Sequence, residues 1–417
     1  MLKLFYFNKL WKSPFQGGPP LYQITAGSKL PPDEQFVCFA CLSRFAVRLP
    51  ISMRLDELDY RLPRQQIAQR PLERREASRL LLLDRISGIF EERLFTEFPS
   101  LLRGDELLIF NNARVIPARL FGRRAGVHSQ PPSQATKSEH LTRKVEIFLT
   151  REIDSETWEA LVRPGRKMQV GERVFFGEGE LEAEVRTRGQ LGLRALRFIS
   201  HDQSSISQHF ERLGHVPLPS YIERADELSD RERYQTVFAK RPGAIAAPTA
   251  GLHFSTEILE KIRARGVEIC ELTLHVGLGT FQPIHSDTLE GHVMHSEGYE
   301  IAKETAERIQ VARDAGRPIL AIGTTVVRAL EDAALRAAES SSANLVLSGN
   351  AEARLFIVPG FRFRVVEGLL TNFHLPRSTL LALVCAFAGR EHVLAAYQHA
   401  VNAGYRFYSY GDCLLVR

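Results

Sequence analysis

Between Gly104 and about Ile199 the chain reads as a run of short, alternating apolar and polar segments with Gly and Pro at the corners. Glu106-Leu-Leu-Ile-Phe110, Val145-Glu-Ile-Phe-Leu149, Trp158-Glu-Ala-Leu-Val162, Arg173-Val-Phe-Phe176 and Leu193-Arg-Ala-Leu-Arg-Phe198 are the clearest. Five or six such strands, each a few residues long, predict a small barrel. The polar stretch Val127–Arg143, with Pro131-Pro132, predicts a long exposed hairpin loop.

Beyond Phe210 the pattern changes to strands alternating with helices. Ser255 is placed to cap a helix through Arg265, with Glu257 in its first turn and Gly266 as its stop. Val267–Val276 alternates as a strand, Glu304–Ala315 is helical, Pro318–Ile322 is a short buried strand and Val326–Ala338 a further helix. After Thr371 come two helices split by Gly389 and an aromatic final strand, Tyr405–Tyr410. The fold class is therefore an α/β main domain with an inserted all-β, barrel-like domain. The expected divisions are 53–103 and 201–417 for the α/β part and 104–200 for the insert.

Residues 1–52 differ in texture. They lack a clean period, carry Gly17-Gly-Pro-Pro20 and lack the apolar run and cleavage site of a secretory signal. They are read as an N-terminal extension, disordered or upstream of a start at Met53. Their six basic residues against Asp33 and Glu34 supply +4 of the formal +5, which leaves +1 for the remaining chain. A polyanionic partner must therefore be held by local patches rather than a global field. No apolar run approaches the ~20 residues of a bilayer span, so a soluble, cytoplasmic chain without membrane contact is expected. Cys270, Cys385 and Cys413 stand singly in apolar surroundings and read as buried thiols. Cys38-x-x-Cys41 lacks a second Cys/His pair nearby, so no metal site is expected.

Strand Pro318–Ile322 runs through Gly323-Thr324-Thr325 into a helix, which presents free N–H groups and hydroxyls to an anion. The plainer reading is that Thr324 or Thr325 caps the helix. His275-Val-Gly277-Leu-Gly279 follows a strand, yet lacks the third glycine and the helix of a dinucleotide fingerprint. His253, His275, His295 and His374 sit beside turns without metal-ligand spacing, which suits acid–base or hydrogen-bonding work. Arginines cluster at Arg70–Arg79, at Arg114–Arg124 and in Arg163-Pro-Gly-Arg166-Lys167, as a phosphate-backbone footprint requires. Tyr221, Tyr234, Phe281 and the final strand offer rings for stacking on unpaired bases.

Ala247-Pro-Thr-Ala-Gly-Leu-His-Phe254 and Thr371-Asn-Phe-His-Leu-Pro-Arg-Ser-Thr379 stand in a longer colinear series. Tyr60-Arg-Leu-Pro63, Ser78-Arg-Leu-Leu81, Asn111-Asn-Ala-Arg114, Trp158–Lys167, Val216–Ile222, Leu274–Phe281, Gly323–Arg328 and Tyr410-Gly-Asp412 belong to it. Over residues 53–417 this series resembles the S-adenosylmethionine:tRNA ribosyltransferase-isomerases of queuosine biosynthesis. Where many members read Asn-Asp-Thr-Arg, this chain has Asn111-Asn112-Ala113-Arg114.

The resemblance implies an enzyme that consumes S-adenosylmethionine as a ribosyl donor and needs no cofactor or metal. The acceptor it implies is 7-aminomethyl-7-deazaguanine at the wobble position of tRNA with a GUN anticodon, and the products are epoxyqueuosine-tRNA, adenine and methionine. It also suggests a monomer. Placed on the matching motifs, His253 is the first choice for general base or for proton donor to adenine, with His275 or His374 second. Thr249, Gly277, Gly279, Thr324, Thr325, Arg328, Asn372 and Arg377 are expected to bind substrate. Thr324, Thr325 and Arg328 would hold the methionine carboxylate, and Asn372 and Arg377 the ribose or an anticodon phosphate. Arg114, Arg119, Arg163, Arg166 and Lys167 are expected to bind tRNA. The alternatives are a tRNA methyltransferase and a non-catalytic tRNA-binding protein. The first lacks its glycine-rich strand–loop–helix, and the second leaves the His, Thr and Asn loop motifs without a purpose.

Overall fold

The structure is a computed structural model that describes residues 53–125, 142–189, 192–277, 288–292, 294 and 296–417. Residues 1–52, most of the Val127–Arg143 loop, Gly279, Phe281 and His295 lie outside them. Strands β1 (Arg79–Leu83), β2 (Phe90–Leu94), β3 (Leu107–Asn111) and the short β4 (Ala113–Val115) come first. Next are β5 (Arg119–Arg124), β6 (Thr142–Glu152), β7 (Thr157–Arg163), β8 (Arg173–Phe176), β9 (Leu181–Arg188) and β10 (Leu193–Ser200). After β11 (Arg241–Ala244) follow β12 (Glu268–Leu274), β13 (Glu297–Ile301), β14 (Ile319–Ile322), β15 (Gly349–Ala353), β16 (Gly368–Asn372) and β17 (Cys413–Val416). The helices of eight residues or more are α1 (Ile206–Leu213), α2 (Thr256–Ala264), α3 (Lys303–Asp314), α4 (Thr324–Glu339), α5 (Thr379–Ala388) and α6 (Arg390–Asn402).

Nine strands form a mixed sheet in the order β15-β13-β12-β3-β14-β16-β17-β1-β2. Its centre, β12-β3-β14-β16, is parallel. Strands β3 and β14 are apolar at nearly every position because both faces of the sheet are covered there. Leu107 and Ile109 of β3 enter the core on the side of α4, α5 and α6, whereas Leu108 and Phe110 enter the core beside α2. On that second face Phe95, Phe98 and Phe254 make edge and stacked contacts, with Phe254 also edge-on to Phe110 at 4.9 Å.

The fully buried strand β3 corrects the expected insert boundary. Leu107–Asn111, read as the first barrel strand, is instead a central strand of the main sheet. An all-buried run of five belongs to a strand with two covered faces, not one. The closed barrel takes β5 to β10, residues 119–200, in the order β10-β7-β6-β5-β8-β9. Its interior is filled by alternate residues such as Val145, Ile147 and Leu149, and Phe210 of α1 packs edge-on against Trp158 and Phe198. At Gly122 a Cβ would lie 2.7 Å from the Phe175 carbonyl oxygen, so the β5–β8 closure needs a residue without one.

The C-terminal reading is corrected as well. Tyr405–Tyr410 is an irregular segment, and the last strand is Cys413–Val416. Tyr408 has φ +70, which breaks an extended chain. The Asp412 carboxylate then accepts the Arg406 and Arg79 N–H groups at 2.8 Å each and folds the segment back on itself.

Two buried carboxylates fix loops to α4. Glu331, fully buried, accepts the N–H groups of Arg364, Val365 and Val366 at 2.8, 3.0 and 3.0 Å. Glu297 pairs with Arg328 and accepts the Gly277 N–H at 3.0 Å. Among the described residues no single helix is long and apolar enough to cross a membrane. The apolar α5 packs its Leu381–Cys385 run into the core.

Candidate functional site

The parallel strands β12, β3, β14 and β16 end on one edge of the sheet, β3 at Asn111 and β16 at Asn372. In open α/β sheets this carboxyl edge is where ligands bind. A narrow cleft opens there. Gly323, Thr324 and Thr325 form one wall and Thr371, Asn372 and His374 another. Pro248, Thr249 and Ala250 close a third side, and Tyr221, Tyr408 and Ser409 cover it.

The first wall is a helix N-terminus. Gly323 at φ +102 turns β14 directly into α4, and neither threonine makes a side-chain capping bond. Capping, the plainer expectation for these hydroxyls, is therefore not what they do. The Val326 N–H already bonds the Gly323 carbonyl at 3.1 Å and the Gly323 N–H the Leu370 carbonyl at 2.8 Å, so the N–H groups of Thr324 and Thr325 are the ones left to favour an anion. Ala250 is buried beside Gly323, at 3.7 Å from where a Cβ would sit, so the two walls meet closely.

The second wall carries two histidines in different positions. His374 lines the cleft, with Nε2 2.7 Å from Thr371 Oγ1 and its main-chain N–H donated to the Tyr397 hydroxyl at 3.1 Å. Burial pushes its pKa down to about 3, so the ring is neutral near pH 7. His253 lies behind this wall and does not line the main cleft. Its Nδ1 is 2.7 Å from Ser78 Oγ, its Nε2 is 3.2 Å from Asn372 Nδ2, and its ring packs on Phe95. Burial, with some help from the Arg406 charge, holds its pKa at about 3. The turn Thr249–His253 buries the His253 ring between β16 and Ser78, where a smaller cleft with Arg75 and Tyr410 touches it.

Tyr221 and Tyr408 cover the cleft with ring centroids 4.5 Å apart. The Tyr221 hydroxyl is 2.7 Å from Ser409 Oγ. The Tyr408 hydroxyl is buried with no protein partner, as is Asn372 Oδ1. The backbone at Tyr408 is left-handed, a strained state that a non-glycine residue keeps only when its surroundings enforce it.

Of the other expected substrate-binding residues, Thr249, Thr324, Thr325 and Asn372 line the cleft. Gly277, Arg328 and Arg377 do not. Arg328 lies one turn into α4, is buried, and gives its guanidinium to Glu297 and to the Ala353 and Leu355 carbonyls. Arg377, at φ +57, is exposed and pairs with Asp59 at 2.9 Å. His275 is half-buried against Gly243, its ring pKa lowered chiefly by desolvation, and only its neighbour Val276 reaches the cleft.

A second cleft, about 330 Å³, lies between the barrel and the segment Pro217–Ser220. Arg119, Arg163, Glu146 and Phe148 line it, with Arg119 Nε 3.1 Å from Glu146. Ser220 and Ile245 in this cleft precede Tyr221 and Ala247 in the first, so the two share a wall. Arg166 and Lys167 follow on an exposed turn, and Arg114 is exposed with Glu211 3.6 Å away. The Arg70–Arg79 cluster is largely taken up within the protein: Arg70 by Glu227, Arg74 by Glu76, and Arg75 by the Glu232 carbonyl.

Asn111, Ser78, Tyr408 and Ser409 were not singled out from the sequence as site residues. Their signal was membership of the motif series or its immediate neighbourhood, without a chemical reason to prefer them. Asn112 donates to Glu271 at 3.1 Å and accepts from Thr273 at 2.7 Å. An amide there avoids placing a second carboxylate against Glu271. Among the described residues no group of three or more His, Cys, Asp or Glu is arranged to hold a metal ion.

The model of the family described as "Queuosine biosynthesis protein" matches residues 55–416. The S-adenosylmethionine:tRNA ribosyltransferase-isomerase of Solibacter usitatus is 50% identical over 368 residues, covering 87% of this chain and all of that one. The protein of the same name from Moorella thermoacetica is 46% identical, again over 87% of this chain and all of its own. A crystal structure of S-adenosylmethionine tRNA ribosyltransferase from Thermotoga maritima is 34% identical, covers 87% of this chain and 100% of its own, and superposes with a TM-score of 0.46. With a family model spanning nearly all of residues 53–417 and relatives this similar along their whole length, the chain belongs to the queuosine biosynthesis protein family.

Proposed function

We propose that the chain is an S-adenosylmethionine:tRNA ribosyltransferase-isomerase that binds the sulfonium donor in the cleft at the carboxyl edge of the sheet. It moves the ribosyl group onto 7-aminomethyl-7-deazaguanine at the wobble position of a tRNA with a GUN anticodon. The products are epoxyqueuosine-tRNA, adenine and methionine. The observation that carries this reading is the uncapped N-terminus of α4 opening into a neutral, hydroxyl-lined cleft beside His374. The methionine carboxylate is placed at Thr324 and Thr325, where the helix dipole and free amides meet it.

The sulfonium acidifies the ribose C5′. His374, the histidine of the cleft, takes that proton on a neutral ring, and Thr371 Oγ1 is placed to accept from the imidazolium that forms. The C5′ ylide expels the ring oxygen, and adenine leaves as an aldehyde forms at C1′. The acceptor amine then adds at C4′ of the vinyl sulfonium. The ylide so regenerated attacks the aldehyde and closes the cyclopentane. The alkoxide displaces methionine and leaves the epoxide. The buried walls keep water from the ylide.

The second cleft and the turn behind it suit the acceptor. Arg119 and Arg163 face the wall shared with the donor cleft, and Arg114, Arg166 and Lys167 extend the positive surface for phosphates. The chain works as a monomer in the cytoplasm, with S-adenosylmethionine as consumed substrate and no cofactor.

The label that reaches tRNA tests this. With donor labelled in the ribose or in the methyl group, ribosyl transfer places only the ribose label on tRNA and leaves the methyl label in methionine. Methyl label on tRNA would establish the methyltransferase instead, and label on neither would leave a binding protein.

A further inference from the structure

The orientation of Asn372 is set by a single carbonyl. Its Nδ2 lies 3.0 Å from the Tyr408 carbonyl oxygen, which can only accept. The amide nitrogen must therefore face Tyr408, and its second N–H points at His253 Nε2, 3.2 Å away. That nitrogen has to be the acceptor, so the proton of the neutral ring is on Nδ1 and is donated to Ser78 Oγ at 2.7 Å. Both N–H groups of Asn372 are then used. Its Oδ1, in a side chain 2% exposed that lines the cleft, has no partner in the protein.

A buried carbonyl oxygen without a partner costs on the order of 1–3 kcal/mol, and this one is held in place by the Tyr408 carbonyl and, from behind the cleft, by His253, which Ser78 holds in turn. We propose that Ser78 and His253 are positioning residues that lock the Asn372 carboxamide, so that its Oδ1 is a preset acceptor for a ribose hydroxyl of the bound donor. His253 works as a fixed neutral link and takes no proton in the reaction. A neutral acceptor suits a hydroxyl, which brings one hydrogen and no charge into a wall that holds no carboxylate among its lining residues. The low pKa of the ring agrees with a role that never needs the imidazolium. The inference rests on the reading of this cleft as the donor site.

The tautomer is read directly by nitrogen-15 NMR of the full chain labelled at histidine. One ring, absent from the spectrum of His253→Gln, is expected to stay neutral and Nδ1-protonated from pH 7 to pH 5. An Nε2-protonated or charged ring in that range would overturn the proposal. Kinetically, His253→Ala and Ser78→Ala should raise KM for S-adenosylmethionine about tenfold, the worth of one hydrogen bond of this kind, with a smaller change in kcat. His253→Gln, able to accept from Asn372 and donate to Ser78, should recover most of that loss and keep the wild-type pH profile. A pH limb that disappears in His253→Gln would make His253 an acid–base group and end the proposal.

Calorimetric binding of S-adenosylmethionine separates this proposal from the donor-site reading beneath it. No binding by the wild type would sink the donor-site reading. Binding by the wild type with equal binding by Asn372→Ala would sink the proposal alone. The penalty of Asn372→Ala should vanish with either the 2′-deoxy or the 3′-deoxy analogue, and its persistence with both would remove the hydroxyl assignment. If His253→Ala does not fold, Asn372→Ala and His253→Gln carry the test.

Discussion

Asn111 grips Leu274 by both ends of its side-chain amide. Oδ1 accepts the Leu274 N–H at 3.0 Å and Nδ2 donates to the Leu274 carbonyl at 2.9 Å. A side chain thus supplies the rung that the β3–β12 ladder would otherwise lack at its end, and Nδ2 also lies 3.4 Å from Thr325 Oγ1. One buried amide couples the exit of β12 to the helix start of the donor cleft. Replacing Asn111 by Ala should destabilise the protein by about 2–4 kcal/mol, since it leaves a buried N–H and C=O unpaired. Urea denaturation followed by fluorescence measures this, and a loss below about 0.5 kcal/mol would show that the pair is dispensable.

Gly323→Ala separates conformation from space. A Cβ there would meet nothing closer than 3.7 Å, yet φ +102 is a conformation that alanine resists. The expected cost is about 1–3 kcal/mol, together with weaker binding of S-adenosylmethionine as the α4 N-terminus shifts. Unchanged affinity would argue that the carboxylate binds elsewhere.

Two of the buried histidines, His253 and His374, make stability depend on pH with a definite sign. His253 and His374 have folded pKa values of about 3, below the ~6.5 of an unfolded chain. Above pH 6.5 neither state binds these protons, and their full stabilisation is present. As pH falls from 6.5 towards 3 the unfolded state takes up protons that the native state refuses, so stability is lost. From pH 7 to pH 5 the loss should be on the order of 2 kcal/mol for each histidine. Denaturant midpoints at pH 7, 6 and 5 measure it, with His253→Gln removing about half of the slope. Glu331 and Asp412, whose pKa values burial raises, act in the opposite sense at lower pH. A flat profile would show that these rings titrate normally.

Arg166 and Lys167 test the acceptor surface apart from the donor. Their joint replacement by Glu should weaken tRNA binding and reduce the slope of log K against log salt by about 0.7–0.9 for each phosphate no longer neutralised. Binding of S-adenosylmethionine should be unchanged. An unaltered salt slope would move the tRNA footprint off the barrel.

Local pattern carried the architecture well where one period dominated. Ser255 caps α2 through the Ile258 N–H, and Gly389 parts α5 from α6, as their residue types require. It failed at β3, because a short apolar run does not say whether one or both of its faces are covered. It failed again at Tyr405–Tyr410, where alternation suggested a strand but the Asp412 carboxylate imposes a turn. In the cleft, the glycine–threonine helix start was legible because its chemistry is local. The contrast between His253 and His374 was not, since it depends on Ser78 and Tyr408, distant in sequence from both.

Free adenine is the product that separates ribosyl transfer from the other uses of this donor. The purified protein, S-adenosylmethionine and tRNA carrying 7-aminomethyl-7-deazaguanine should together release one adenine and one methionine for each base modified, and His374→Asn should abolish both. S-adenosylhomocysteine in place of adenine, or adenine release that survives loss of His374, would contradict the account.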